Sequence, residues 1–203
     1  MKGGLNKYCV YSFITTIILG LIMAETENNS EQEIEQITFG AGCFWCVEAI
    51  FERLDGVMDV RSGYTGGKIE NPTYDDVCSG ETGHVEVVQV DFNPQIIGFK
   101  QLLDIFWQSH DPTTLNRQGS DVGAQYRSVV FYHSDKQRII TKKSMEAVDK
   151  SEMYINPIIT EILPLNTFYL AEKYHQDYYR INPNAPYCQV VIQPKLNKIF
   201  DSD

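Results

Sequence analysis

The chain has 203 residues, 43 % of them hydrophobic and 22 % charged, the balance of a globular protein long enough for one real core. Its formal net charge of −10, with no basic run, excludes nucleic acid or an anionic membrane surface as the main partner. Only one pair of its five cysteines has metal-ligand spacing and its four histidines are scattered, so a four-ligand zinc site is not expected.

In chain order, Lys2 and Lys7 precede an apolar run from Tyr8 to Ala24 that contains no acid. A polar, acidic stretch follows. That is the layout of a secretory signal cleaved after Ala24, although Ile22 stands where a small residue is customary. An uncleaved anchor over residues 8–24 and a buried N-terminal segment are the alternatives; the run is only marginally long enough to span a bilayer. Export to the periplasm, or another extracytoplasmic place, would make disulfides possible between Cys43, Cys46, Cys78 and Cys188. Residues 25–36 read as a polar linker, and 37–203 as the folded domain.

Ile37 to Phe39 predicts a short strand. After the turn at Gly40 and Gly42, residues 44–54 place Val47, Ile50, Phe51 and Leu54 at helical spacing. Val57 to Tyr64 predicts a strand closed by Thr65-Gly66-Gly67, and Asn71 to Ser79 a short helix. His84 to Phe92 alternates cleanly as a strand. Then come an amphipathic helix from Phe99 to Ser109, a polar loop from Leu115 to Ala124 and a strand from Tyr126 to His133. A charged helix from Lys136 to Lys150, a strand from Ile158 to Leu163 and an aromatic-rich helix from Phe168 to Arg180 complete the pattern. Strands alternating with helices predict an α/β domain whose sheet is covered by helices.

Cys43 and Cys46 enclose Phe44 and Trp45 where the first helix begins. A cysteine there meets unpaired N–H groups and the positive end of the macrodipole, which favour thiolate; a buried, inert cysteine is the alternative. Alternation puts His84, Glu86 and Val88 on one strand face. If that face is covered, Glu86 is a proton donor with a raised pKa; if it is open, Glu86 is merely solvated. Tyr74, Tyr126 and Asp121 do not stand out from background alone.

Together these stretches are similar to a known family. GAGCFWCVEAIF, SGYTGG, NPTYDDVCSGETGHVEVV, SHDPTT, RQGSDVGAQYRSVVFY and AEKYHQDYY occur in order, and the chain from about Gln36 to Lys198 resembles peptide methionine sulfoxide reductase A. The resemblance implies a two-layer α/β (α+β) sandwich of the ferredoxin-like kind. It implies thiol-dependent reduction of the S epimer of methionine sulfoxide, free or in oxidised proteins, by a chain expected to act as a monomer. Cys43 would be the nucleophile, Phe44 and Trp45 the methyl pocket, and Glu86 the acid. Tyr74 and Tyr126 would bond the oxygen, and Asp121 would position the substrate. No prosthetic group or metal is implied, only an external dithiol such as thioredoxin. The sequence departs from the commoner pattern at Cys46, where glycine is frequent, and in PYCQVVIQPKLNKIF, which replaces a glycine-rich tail. Cys46 is expected to resolve the oxidised Cys43, because residues three apart on a helical turn are neighbours; Cys188 is the rival and Cys78 a structural thiol. Two other functions stay open on the residues: a thiol–disulfide oxidoreductase using the same CxxC, and a binding module for oxidised or Met-rich peptides.

Overall fold

The computed structural model describes residues 33–201. The signal or anchor expected over 1–24, and the linker as far as residue 32, lie outside the described residues. Within the stretch expected to be linker, Glu35 already belongs to the first strand and pairs with Phe92.

Strands β1 (Glu35–Ala41), β2 (Val57–Thr65), β3 (Val85–Phe92) and β6 (Ser128–Tyr132) form the antiparallel centre of a six-stranded sheet ordered β7-β6-β1-β3-β2-β8. The edge strands are β7 (Glu161–Pro164), parallel to β6, and the two-residue β8 (Tyr169–Leu170). Helices α1 (Phe44–Phe51), α3 (Phe99–Ser109) and α4 (Asp135–Lys150) connect or flank these strands. The β-α-β-β-α-β order of the centre and its helical layer make the expected α+β sandwich, with a mixed sheet.

The core lies between sheet and helices. Phe39 stacks on Phe51 of α1 and on Phe106 of α3, with ring centroids 5.1 Å and 4.9 Å away. Val88, Val90 and Phe92 of β3 point into the same cluster, while Val85 and Val87 point to the far face beside Val129 and Phe131. β3 is therefore buried on both sides. α1 is buried nearly all round, wedged between the sheet and the C-terminal segment.

Two expectations need correction. Residues 168–180 do not form one helix. Phe168 to Leu170 lie along β2, followed by a 3-10 turn (Lys173–His175) and the one-turn α5 (Tyr178–Ile181). Gly63 permits this: a Cβ there would sit 2.3 Å from the Phe168 ring and 2.5 Å from the Tyr169 carbonyl oxygen. Asp177, with φ of 55°, breaks any helical continuation. The polar loop 115–124 also contains a small hairpin, β4 (Arg117–Gln118) with β5 (Asp121–Val122). The remaining helices are the short α2 (Tyr74–Cys78), capped by Thr73 in a capping box with Asp76, and α6 (Gln193–Phe200), which continues a π-helical turn (Cys188–Ile192).

Candidate active site

Gly42 turns the chain between β1 and α1 with φ of 91°, a value suited to glycine. Cys43 follows as the N-cap, its carbonyl accepting the first helical N–H bonds from Cys46 and Val47. Its thiol therefore sits where the helix begins, 8 % exposed. The adjacent Phe44 N–H donates to Glu86 Oε2 at 3.1 Å, joining the helix start to the centre of β3.

A cavity of about 220 Å³ opens here, lined by Cys43, Phe44, Trp45, Tyr74, Glu86, Asp121, Tyr126 and Tyr187. All seven residues expected around the substrate, from four separate stretches of sequence, thus meet in one place. Glu86 is 1 % exposed, so its face is covered rather than solvated. Burial pushes its carboxyl up to about 8, against the pull of the Phe44 N–H; Asp121 and Cys46 push the same way. Glu86 therefore holds a proton at neutral pH. Burial also raises the Tyr74 and Tyr126 hydroxyls, which remain donors throughout the working range.

Each of the two thiols shifts the other. Burial raises Cys43, and the neighbouring Cys46 and Glu86 add to the effect. A hydrogen bond from Cys43 lowers Cys46 to about 7, helped by the Lys195 cation and the Tyr187 hydroxyl. Burial of Cys43 thus works against the thiolate that its place at the helix start favours. Cys46 is 1 % exposed, with Sγ 3.7 Å from Tyr187 Oη, which in turn donates to Asp121 Oδ2 at 2.7 Å. Cys188 is fully buried on the π-helical turn next to Tyr187, and burial and Cys46 raise its thiol. Cys78 is exposed at the end of α2.

The sequence reading missed the support of the aromatic wall. Tyr178 stacks face to face on Trp45, centroids 3.6 Å apart at 7°. Trp45 Nε1 donates to His175 Nδ1 at 3.1 Å, so His175 is a buried, bonded residue of the site's wall rather than a scattered one. Glu172 accepts from the Tyr74 N–H at 2.8 Å and the Tyr64 hydroxyl at 2.9 Å. Tyr187 completes the cavity. For Glu172, His175 and Tyr178 the only signal was the density of aromatics in AEKYHQDYY; Tyr187 lies outside it, in PYCQVVIQPKLNKIF. The other histidines serve the fold: His84 bonds the Gly67 N–H and the Ile69 carbonyl, and His110 bonds the Phe106 carbonyl and Ser128. Among the described residues, no three His, Cys, Asp or Glu side chains gather as a metal site.

A family model described as peptide methionine sulfoxide reductase matches residues 35–203. The chain belongs to that family. A peptide methionine sulfoxide reductase MsrA 1 from Rhodopirellula baltica is 57 % identical over 164 residues, covering 81 % of this chain and 84 % of the relative. An MsrA from Sulfolobus acidocaldarius is 50 % identical over 167 residues, covering 82 % and 94 %. Among solved structures, reduced Mxr1 from Saccharomyces cerevisiae superposes with a TM-score of 0.73 at 38 % identity, covering 81 % of this chain and 94 % of that one. Mxr1 in complex with Trx2 superposes at 0.52 with 29 % identity, covering 76 % and 91 %. This chain thus carries the fold of these solved structures.

Proposed function

We propose that the protein reduces the S epimer of methionine sulfoxide, free or in oxidised proteins, to methionine. The observation that carries this reading is a thiol at a helix start facing a buried carboxyl and two hydroxyl donors beside an aromatic wall. A sulfoxide is a polar S=O next to an apolar methyl. In this reading Phe44 and Trp45 take the methyl, while Tyr74, Tyr126 and Glu86 take the oxygen. Asp121 and Tyr187 close the remaining side.

Cys43 passes its proton to its surroundings, Cys46 being the nearest base, and attacks the sulfur of the substrate. A bond forms between Cys43 and that sulfur while Glu86 gives its proton to the oxygen; the hydroxyl then passes from the substrate sulfur to Cys43, as that S–S bond and the substrate S–O bond break. Methionine leaves, and the oxygen remains on Cys43 as sulfenic acid. Cys46 then attacks that sulfur, water departs, and a Cys43–Cys46 disulfide forms. Two electrons and two protons from an external dithiol restore the thiols; the Trx2 complex of Mxr1 supports a thioredoxin-type reductant. The deciding assay follows loss of methionine S-sulfoxide with dithiothreitol. Cys43→Ser should abolish turnover, and substantial remaining activity would sink the mechanism. Activity on disulfides in place of sulfoxides would favour a plain thiol–disulfide oxidoreductase, and sulfoxide binding without turnover a binding module.

Export of a monomer, with residues 1–24 removed, belongs to the same proposal. Its support is the charge and hydropathy of that stretch alone. A mature N-terminus near Glu25 in protein from the native host is the expected mass.

A further inference from the structure

Behind the aromatic wall lies a buried polar network that takes no part in the chemistry above. Glu48 follows Trp45 by three residues on α1, so the two side chains are neighbours on the helix surface. Glu48 is 1 % exposed. One carboxyl oxygen accepts the Ser62 hydroxyl at 3.0 Å, and the other accepts the Tyr178 N–H at 3.3 Å. Ser62, on β2, is itself bound twice to Gln176: its N–H donates to Gln176 Oε1 at 3.1 Å, and Gln176 Nε2 donates to its carbonyl at 3.0 Å. Gln176 Nε2 also donates to the Ala171 carbonyl at 3.0 Å. Helix, strand and the 171–178 segment are thus tied together through three side chains.

That segment carries His175 and Tyr178, which hold the Trp45 indole by its N–H and by its face. It is a 3-10 turn followed by one turn of helix, elements too short to fix their own orientation. A buried carboxyl is also a poor choice for filling space, since an apolar side chain would do so without desolvating a polar group. Two donors from two different elements converge on it instead, and a carboxyl presents an oxygen to each of them where an amide presents only one.

We propose that Glu48 is a positioning residue which, with Ser62 and Gln176, holds the 171–178 segment against Trp45 and thereby sets the fit of the methyl pocket. This rests on the reading of Trp45 as the wall that takes the substrate methyl. Glu48→Gln turns an NH₂ group toward one of the two donors. Ser62→Ala removes one donor and leaves the carboxyl in place.

The test uses the full chain and both variants, with methionine S-sulfoxide and its S-ethyl analogue as substrates. KM for the methyl substrate is expected to rise on the order of 10-fold, while the single-turnover rate at saturation falls by less than about 3-fold. The preference for methyl over ethyl should narrow. In a Trp107→Phe background Trp45 is the only tryptophan, and its emission should shift to longer wavelength and become more accessible to acrylamide. Folded variants with wild-type KM, methyl preference and Trp45 emission would overturn the proposal, even if their melting temperatures drop. Should Glu48→Gln fail to fold, Ser62→Ala decides on the same readouts. If the wild-type protein leaves both sulfoxides unreduced, the methyl-pocket reading fails by itself. Trp45 emission then tests the clamp alone, and unchanged emission in both variants sinks it.

Discussion

A carboxyl buried beside a helix start is pulled two ways, and at Glu86 burial wins over the Phe44 N–H. In the proposed reaction, the proton it keeps is the one that the sulfoxide oxygen takes up. Glu86→Gln preserves shape and a donor but cannot deliver that proton, so the reduction step should slow on the order of 10²-fold. In the wild type, that step should lose rate above about pH 8, where Glu86 ionises, and the variant should lack this alkaline limb. Single-turnover rates that match wild type in size and pH profile would leave the oxygen to the tyrosines alone. The thiols make a second expectation. Cys43 and Cys46 occupy the cap and third positions of one helical turn, so their disulfide needs only a local adjustment. One equivalent of sulfoxide should yield Cys43–Cys46 as the first bond seen by peptide mass spectrometry. A first Cys43–Cys188 bond, with Cys46→Ser turning over normally with thioredoxin, would transfer the resolving role to Cys188. The candidate site was legible in the sequence where its residues bring their own chemistry: cysteines, a carboxyl in an apolar strand, tyrosines in a shared motif. The proton balance between the thiols was not, because it depends on burial and on Lys195 and Tyr187, far along the chain.

Among the elements, α3 was readable because its apolar periodicity is the periodicity of the face it buries, while β1, α1, β2 and β3 were readable as apolar stretches bounded by glycine and polar turns. Residues 168–180 misled because aromatic density is equally compatible with a helix and with a strip laid along a sheet edge. The choice is made by partners that sequence spacing does not display: Gly63 on β2, which leaves room, and Gln176, which bonds both Ser62 backbone groups. This gives a test at the level of the element. Gly63→Ala would place a Cβ within 2.5 Å of both the Phe168 ring and the Tyr169 carbonyl, forcing β8 away from β2. Overpacking of this kind destabilises by about 1–3 kcal/mol. The urea midpoint should fall, and the sulfoxide KM should rise, because the residues that hold Trp45 follow directly on β8. An unchanged midpoint would show that the edge has slack that this geometry does not provide.

Over the whole molecule, the acid that serves the proposed reaction is also a liability to the fold. Glu86 has its folded pKa raised from about 4.5 to about 8, so the folded state binds more protons than the unfolded state in that window. Its contribution is then fully present below pH 4.5 and is lost as pH rises through 8. Glu48, raised by burial to about 7, acts with the same sign. His110, lowered by burial to about 4, acts with the opposite sign between pH 4 and 6.5. The wild-type profile sums these with further groups such as Cys46 and Glu52, but a comparison with Glu86→Gln isolates one of them, because the others are present in both proteins. The amide is neutral at every pH and can still accept the Phe44 N–H. From pH 5 to pH 8 the wild type should lose stability relative to the variant by about 1.4 kcal/mol per pH unit at most, a few kcal/mol in total. At pH 8 the catalytically impaired variant should therefore melt at or above the wild-type temperature, and at pH 5 at or below it. Such an exchange of stability for a kept proton is expected where a reaction needs a buried acid. Denaturant titrations of both proteins at pH 5, 6.5 and 8 decide it: parallel stability profiles would mean that Glu86 carries no excess proton in the folded state, and the acid of the mechanism would have to be sought among the tyrosines.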